Sequence, residues 1–225
     1  MLKELSRNSQ DYLKALYLEA ERLGGPVGEA SVSTTAVARR LSVSAASATS
    51  MLKRLDALGL VAHEAYRGAV LTERGLNVAL ELIRHHRLLE TYLASALDVP
   101  WDLVHNEAEE LEHDLSEDLE ERISARLGNP AFDPHGHPIP TKDLSMPHAS
   151  GTRLWDVTVG QRATVERVSD SVGEALRYLA GLGIRPGVEL EVTERGPVGG
   201  PLFVTADDGD VHALSRQLAE SVWVA

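Results

Sequence analysis

The stretch "SVSTTAVARRLSVSAASATSMLKRLDALGLVAHEAYRGAVLTERG", residues 31–75, decides the architecture. Helical spacing runs from a cap near Thr34 to about Leu41, and Ser42-Val43-Ser44 then makes a tight turn. A second helix follows, with Ala48, Met51, Leu52, Leu55 and Leu58 on its inward face and Gly59 at its end. Two short β stretches, "LVAHEA" and "GAVLT", are joined by Tyr66-Arg67-Gly68. Helix, turn, helix and β-wing within about 40 residues is the winged helix-turn-helix pattern, whose second helix enters the DNA major groove.

On that helix Ser44, Ser47, Thr49, Ser50, Lys53 and Arg54 are the candidate DNA-contacting residues, with Arg67 on the wing. Small hydroxyl side chains approach phosphates and base edges closely, and the cations suit backbone phosphates. Surface Ser and Thr are ordinary on any helix, so the signal is the whole pattern.

Outward from this module, "NSQDYLKALYLEAERLGGP" predicts one helix capped by Ser9 or Asn8, with Tyr12, Leu13, Leu16 and Ala20 recurring at helical spacing. Downstream, the pattern predicts helices over 73–97 and 101–127, separated at Pro100 and ended by Gly128 and Pro130. Residues 129–153, rich in Pro, Gly and His, read as a connector. From 154 onward the strands "WDVTV", "RATVERV", "VELEVTE", "PLFVTA" and "VHALS", with one helix at about 171–182, predict a small SH3-like β-barrel.

Composition sets the chemistry available. The 225 residues hold no cysteine, which excludes disulfides and thiolate metal sites and leaves oxygen and imidazole donors. No apolar run approaches the roughly 18 residues of a membrane span, and no leader opens the sequence, so a cytoplasmic chain with no membrane partner is expected. The net charge of −12 is unevenly spread. Residues 1–73 carry 9 Lys+Arg against 8 Asp+Glu, residues 74–128 carry 5 against 13, and residues 129–225 carry 8 against 13. Only the first third could approach a polyanion without repulsion.

"HNEAEELEH", residues 105–113, puts two histidines and four glutamates into nine positions. On a continuous helix at 100° per residue, His105, Glu109, Glu112 and His113 share an arc of about 100°. That arc lies beside the apolar stripe of Val104, Ala108, Leu111 and Leu115. The preceding helix offers His86 and Glu90 one turn apart. For any single pair a solvated acidic face is the commoner explanation. Two helices carrying such pairs in a cysteine-free chain favour a metal. Asp11, in the first turn of the first helix, is explained by the positive helix end alone.

With "DYLKALY", "GLVAHEAYRGAVLTERG", "HHRLLETYL" and "HNEAEELEH" in this order, the chain resembles the diphtheria-toxin-repressor family of metal-dependent regulators over nearly its whole length. The resemblance implies a mainly α fold with small β: a winged helix-turn-helix domain over 1–73 and a helical dimerisation and metal-binding domain over 74–140. A linker over 141–153 and an SH3-like domain over 154–225 complete it. It further implies a primary metal site of Asp11, Glu109, Glu112 and His113, and an ancillary site of His86, Glu90 and His105. Asp170 and Glu174 are additional candidates from the C-terminal domain. Carboxylates at positions 11 and 109 follow the manganese branch, so Mn(II) is the expected activator, with Fe(II) a second candidate. Lys14 departs from that branch, standing where a further glutamate could complete a binuclear site. The implied function is a homodimeric repressor of metal homeostasis on double-stranded operator DNA, in which the ion clamps the DNA-binding domain to the dimerisation domain. Two other readings compete: a di-metal carboxylate enzyme, from the Glu-x-x-His spacing of Glu110 to His113, and a winged-helix regulator sensing an organic ligand in its barrel.

Overall fold

The structure is a computed structural model; it describes residues 2–24, 26–64, 66–148, 151–206 and 209–225. They fall into two compact units. The first comprises Met1–His85, Glu112–Leu115 and Pro140–Ser145, and the second His86–Leu111, Ser116–Ile139 and Met146–Ala225.

In the first unit, α1 (Arg7–Leu23) begins earlier than expected, because Ser6 rather than Ser9 or Asn8 caps it by accepting from the Ser9 amide. Helices α2 (Thr34–Arg40) and α3 (Ala45–Ala57) are likewise capped by serine hydroxyls, Ser33 and Ser44. Between them Ser42 takes a φ of 54°, the left-handed residue that makes the turn tight. Ala48, Leu52 and Leu55, on one stripe of α3, are fully buried against α1 and α2. Met51 is only half-buried and Leu58 is exposed, so the inward face is narrower than its apolar content implies. Strands β1 (Val61–Glu64) and β2 (Gly68–Leu71) pair antiparallel as the wing. Gly68 permits that turn: its φ is +102°, and a Cβ there would lie 2.3 Å from the Val32 carbonyl oxygen.

Helix α4 (Glu73–Leu97) follows, and the division between the units falls within it, after His85. The helix expected over 101–127 is two: α5 (Val104–Leu111) and α6 (Glu117–Arg126). Ser116 breaks it, since its hydroxyl accepts from the Leu119 amide and the acids Glu117, Asp118 and Glu120 occupy the new helix's positive end. Glu112–Asp114 form the turn between.

Part of the stretch read as a connector is core. Asp133, His135, His137 and Ile139 are buried, and Phe132 and Pro138 form a β-bridge. Proline and glycine shape a packed turn here rather than a free tether.

The C-terminal strands β3 (Thr152–Arg153), β4 (Arg162–Val168), β5 (Glu189–Arg195), β6 (Leu202–Thr205), β7 (Val211–Leu214) and β8 (Val222–Val224) make one antiparallel sheet in the order β3-β8-β4-β5-β6-β7. This is the small SH3-like domain. "WDVTV" is not a strand; Leu154–Asp156 form a 3-10 turn whose Leu154 is buried in the core. Helix α7 (Gly173–Gly181) matches expectation, while α8 (Arg216–Glu220) and β8 are too short for periodicity to reveal. Among the described residues no helix is long and apolar enough to cross a membrane.

Candidate metal centres

Asp11, Glu112 and His113 converge in the first unit, each offering a ligand atom within 4.8 Å of the others. Asp11 lies in the second turn of α1, because the Ser6 cap starts the helix at Arg7, four residues before it. The positive helix end therefore no longer accounts for it. His113 Nε2 lies 3.0 Å from Asp11 Oδ1 and 3.8 Å from Glu112 Oε1. The turn carrying Glu112 and His113 is held by His85, whose Nδ1 donates to the Glu112 carbonyl at 3.1 Å. Arg7 pairs with Asp114 beside it.

Two further side chains shape this site, and sequence reasoning missed the first. Gln10, buried in α1, donates its amide NH2 to the Leu2 and Leu5 carbonyls at 2.8 and 3.2 Å. Its oxygen is thereby fixed as an acceptor and meets His113 Nδ1 at 2.6 Å. Nδ1 must then carry the proton, which turns the Nε2 lone pair of a neutral imidazole toward Asp11. Lys14, one turn beyond Gln10, donates to both Glu112 oxygens at 2.9 and 2.7 Å in a nearly solvent-free pair. An ammonium already neutralises the carboxylate that a cation would share.

The second unit holds His86, Glu90, His105 and Asp170, again within 4.8 Å. His86 Nε2 lies 3.0 Å from both Glu90 Oε1 and His105 Nδ1, and His105 Nδ1 lies 3.1 Å from that same oxygen. Three polar atoms crowd one point from two helices. Asp170 Oδ2 is 3.7 Å from His105 Nδ1, so the C-terminal domain contributes a donor here, whereas Glu174 is exposed and belongs to no such group among the described residues. The helical arc predicted from "HNEAEELEH" is only half present. α5 ends at Leu111, so His105 and Glu109 share a face, 3.6 Å apart, while Glu112 and His113 peel away into the first unit.

A third set, Asp133, His135 and His137, lies in the turn that was read as connector. The sequence signal, two histidines flanking a glycine behind an aspartate, was masked by the surrounding prolines. Burial disfavours charge throughout this region, yet the groups charge one another. Burial pushes the Glu90 carboxyl up, but the facing imidazoles of His86, His105 and His135 outweigh it and hold it well below the ordinary carboxylate range. Burial lowers His135, and the Glu90, Asp133 and Asp170 carboxylates override this, raising it to about 9. Burial likewise lowers His137, but Asp170 and Asp133 raise it overall.

The donor sets suit a first-row divalent cation, being carboxylate oxygen and imidazole nitrogen with no sulfur. Buried atoms without hydrogen-bond partners among the described residues, Glu90 Oε2 and His135 Nδ1 among them, are what a bound ion would satisfy.

On the DNA-binding module, Ser44, Ser47, Ser50, Lys53, Arg54 and Arg67 are exposed and Thr49 is half-buried. Ser44 caps α3 through the Ser47 amide at 3.1 Å, Thr49 donates to the Ala45 carbonyl at 2.8 Å, and Arg67 pairs with Glu64 at 3.0 Å.

Comparison with known proteins agrees with this architecture. The family pattern "Iron dependent repressor, N-terminal DNA binding domain" matches residues 4–69. "Iron dependent repressor, metal binding and dimerisation domain" matches 72–141, and the FeoA domain matches 152–225. A solved manganese-dependent transcriptional repressor in complex with manganese is 40% identical, covering 96% of this chain and 99% of its own, with a TM-score of 0.88. The iron-dependent repressor IdeR of Mycobacterium leprae is 28% identical over 99% of both chains. The diphtheria toxin repressor of Corynebacterium jeikeium is 29% identical over 87% of this chain and 89% of its own. Fold and matches together define a winged-helix, metal-dependent transcriptional repressor rather than an enzyme. The chain belongs to the iron-dependent repressor family, which includes the diphtheria toxin repressor and IdeR. The readings as a di-metal carboxylate enzyme or an organic-ligand sensor find no support in these matches.

Proposed function

We propose that this protein is a Mn(II)-activated repressor, with Fe(II) a second activator, that binds double-stranded operator DNA as a cytoplasmic homodimer and controls metal homeostasis. The observation that carries this reading is the convergence of Asp11, Glu112 and His113, with the imidazole oriented by Gln10. The 40% identity to a manganese-dependent repressor supports the choice of metal, as does the all-oxygen and nitrogen donor set.

A bound divalent cation supplies the positive charge that lets Asp11 and Glu112 stay close. Asp11 sits in α1, which packs on the recognition helix α3, whereas Glu112 and His113 come from a turn about 100 residues later. Holding the three together fixes α1 against that turn and so orients α3. In a symmetric dimer this would set the two recognition helices about 34 Å apart, one turn of DNA. Lys53, Arg54 and Arg67 would take phosphates, while Ser44, Ser47, Thr49 and Ser50 approach the groove. His86, Glu90, His105 and Asp170 form the ancillary site. Glu109, which the resemblance placed among the primary ligands, stands 3.6 Å from His105 and outside the Asp11, Glu112 and His113 group, and substitution assigns its role.

Fluorescence anisotropy of metal-stripped protein on a fragment of its own promoter tests this. Mn(II) should raise affinity at least tenfold in the wild type, within the usual range of allosteric coupling. His113→Ala should abolish that rise, and Glu109→Ala should reduce it. Equal binding with and without Mn(II) would refute the reading.

A further inference from the structure

The imidazole-carboxylate cluster of the second unit has more donors than one ion needs, and their arrangement is two-sided. Glu90 presents its oxygens to different histidines: Oε1 meets His86 and His105 at 3.0 and 3.1 Å, while Oε2 faces His135 Nδ1 at 3.8 Å. Asp170 Oδ2 also stands between the two sides, 3.7 Å from His105 Nδ1 and 3.9 Å from His137 Nδ1. We propose that this cluster is a two-cation centre, in which Glu90 and Asp170 bridge one divalent cation held by His86 and His105 and a second held by Asp133, His135 and His137. The proposal rests on the reading of His86, Glu90 and His105 as an ancillary metal site and extends it.

The second half of the centre is built rather than incidental. His135 Nε2 lies 2.9 Å from the Trp101 carbonyl, which can only accept, so Nε2 carries a proton and the lone pair of a neutral ring is on Nδ1. Asp133 Oδ1 accepts the backbone amides of His135 and His137 at 2.8 and 2.9 Å, which points Oδ2 away from the turn. Gly136 between the two histidines has a φ of +86°, and a Cβ there would lie 1.9 Å from the Glu166 carbonyl oxygen. The Val168 amide in β4 donates to the His135 carbonyl at 2.9 Å. The turn is thus clamped against the sheet.

What it presents is four buried atoms without hydrogen-bond partners among the described residues: Glu90 Oε2, Asp133 Oδ2, His135 Nδ1 and His137 Nδ1. His137 Nδ1 is 3.4 Å from Asp133 Oδ2, and the nearby cation Arg87 keeps its Nε 3.8 Å from that oxygen while its Nη1 is committed to the Pro138 carbonyl at 2.5 Å. Atoms bound to one ion at about 2.1 Å lie roughly 3–3.5 Å apart, so separations of 3.4–3.9 Å here need only small inward movements. Carboxylate-bridged ions sit about 3.5–4 Å apart, which suits the two faces of Glu90.

The test uses the full wild-type chain with Mn(II). Crystals measured at the manganese edge should show two anomalous peaks in this cluster about 3.5–4 Å apart, and electron paramagnetic resonance should show an exchange-coupled Mn(II) pair. In equilibrium dialysis, His135→Ala/His137→Ala should bind one Mn(II) fewer per chain than wild type and lose the coupled signal. A single peak beside His86 and His105, with no coupled signal and no change in stoichiometry in the double variant, would overturn the proposal and leave the ancillary site standing. No peak in the cluster at all, with unchanged stoichiometry in His86→Ala, would overturn both.

Discussion

The two candidate metal regions differ in how they stand ready for an ion. Around Asp11, Glu112 and His113 the partners are already supplied: Lys14 neutralises Glu112 and Gln10 holds His113. Around Glu90, buried donors instead face one another with unsatisfied atoms. A cation entering the first region competes with an ammonium the chain carries itself; in the second it replaces the extra proton that the Glu90, Asp133 and Asp170 carboxylates hold on His135. Metal binding in the first region should therefore depend on Lys14, and in the second on pH.

The largest expected effect comes from removing the built-in cation. Lys14→Met leaves the Glu112 carboxylate, 2% exposed, without its ammonium. Denaturant unfolding of the metal-free variant should show a loss of about 3 kcal/mol. Saturating Mn(II) should recover more stability in this variant than in wild type, because no ammonium has to be displaced. An equal recovery in both would erase the contrast between the regions.

Next in size is the ligand itself. His113→Ala should lower Mn(II)-dependent operator affinity about a hundredfold, roughly 2.7 kcal/mol, measured by anisotropy. Metal-free binding should not change.

Gln10→Leu sharpens the comparison further. With no acceptor at Nδ1, the His113 tautomer is released, and Mn(II) affinity at the first region should fall about tenfold, the lower end for an orienting partner. Calorimetric titration reads this directly. Binding in the second region should be unaffected.

The smallest effect is on pH. His135 is raised from an ordinary 6.5 to about 9 in the metal-free fold. Its charged form stabilises the native state fully below about pH 6.5, and this contribution is lost as pH rises through 9. The melting-temperature difference between metal-free wild type and His135→Gln should therefore shrink from pH 6 to 9. A difference that grows with pH would mean that the carboxylates do not control this imidazole.

Much of this was legible in the sequence. The winged module could be read because each element has a local cause: serine caps, a stripe of Ala48, Leu52 and Leu55, and Gly68 at the wing turn. Single donors were also legible, since His86 and Glu90 lie one turn apart on α4, and the resemblance drew in Asp11. What periodicity misread was continuity. Ser116 caps a new helix inside an unbroken hydrophilic pattern, and this small event sends Glu112 and His113 to a different region from His105. Asp133, His135 and His137 escaped because a turn has no period, and proline-rich composition resembles a tether until its burial is seen. Gln10 was invisible for another reason: its role depends on which atoms its amide already satisfies.

The central claim, that metal and DNA binding are coupled, is tested most directly by its reciprocal. Linkage requires operator DNA to tighten Mn(II) binding by the same factor by which Mn(II) tightens DNA binding, expected between about 10- and 150-fold. The measurement is Mn(II) affinity of the full chain with and without saturating promoter fragment. A matching increase, lost in His113→Ala, is the predicted result. Mn(II) affinity unchanged by DNA would contradict the account.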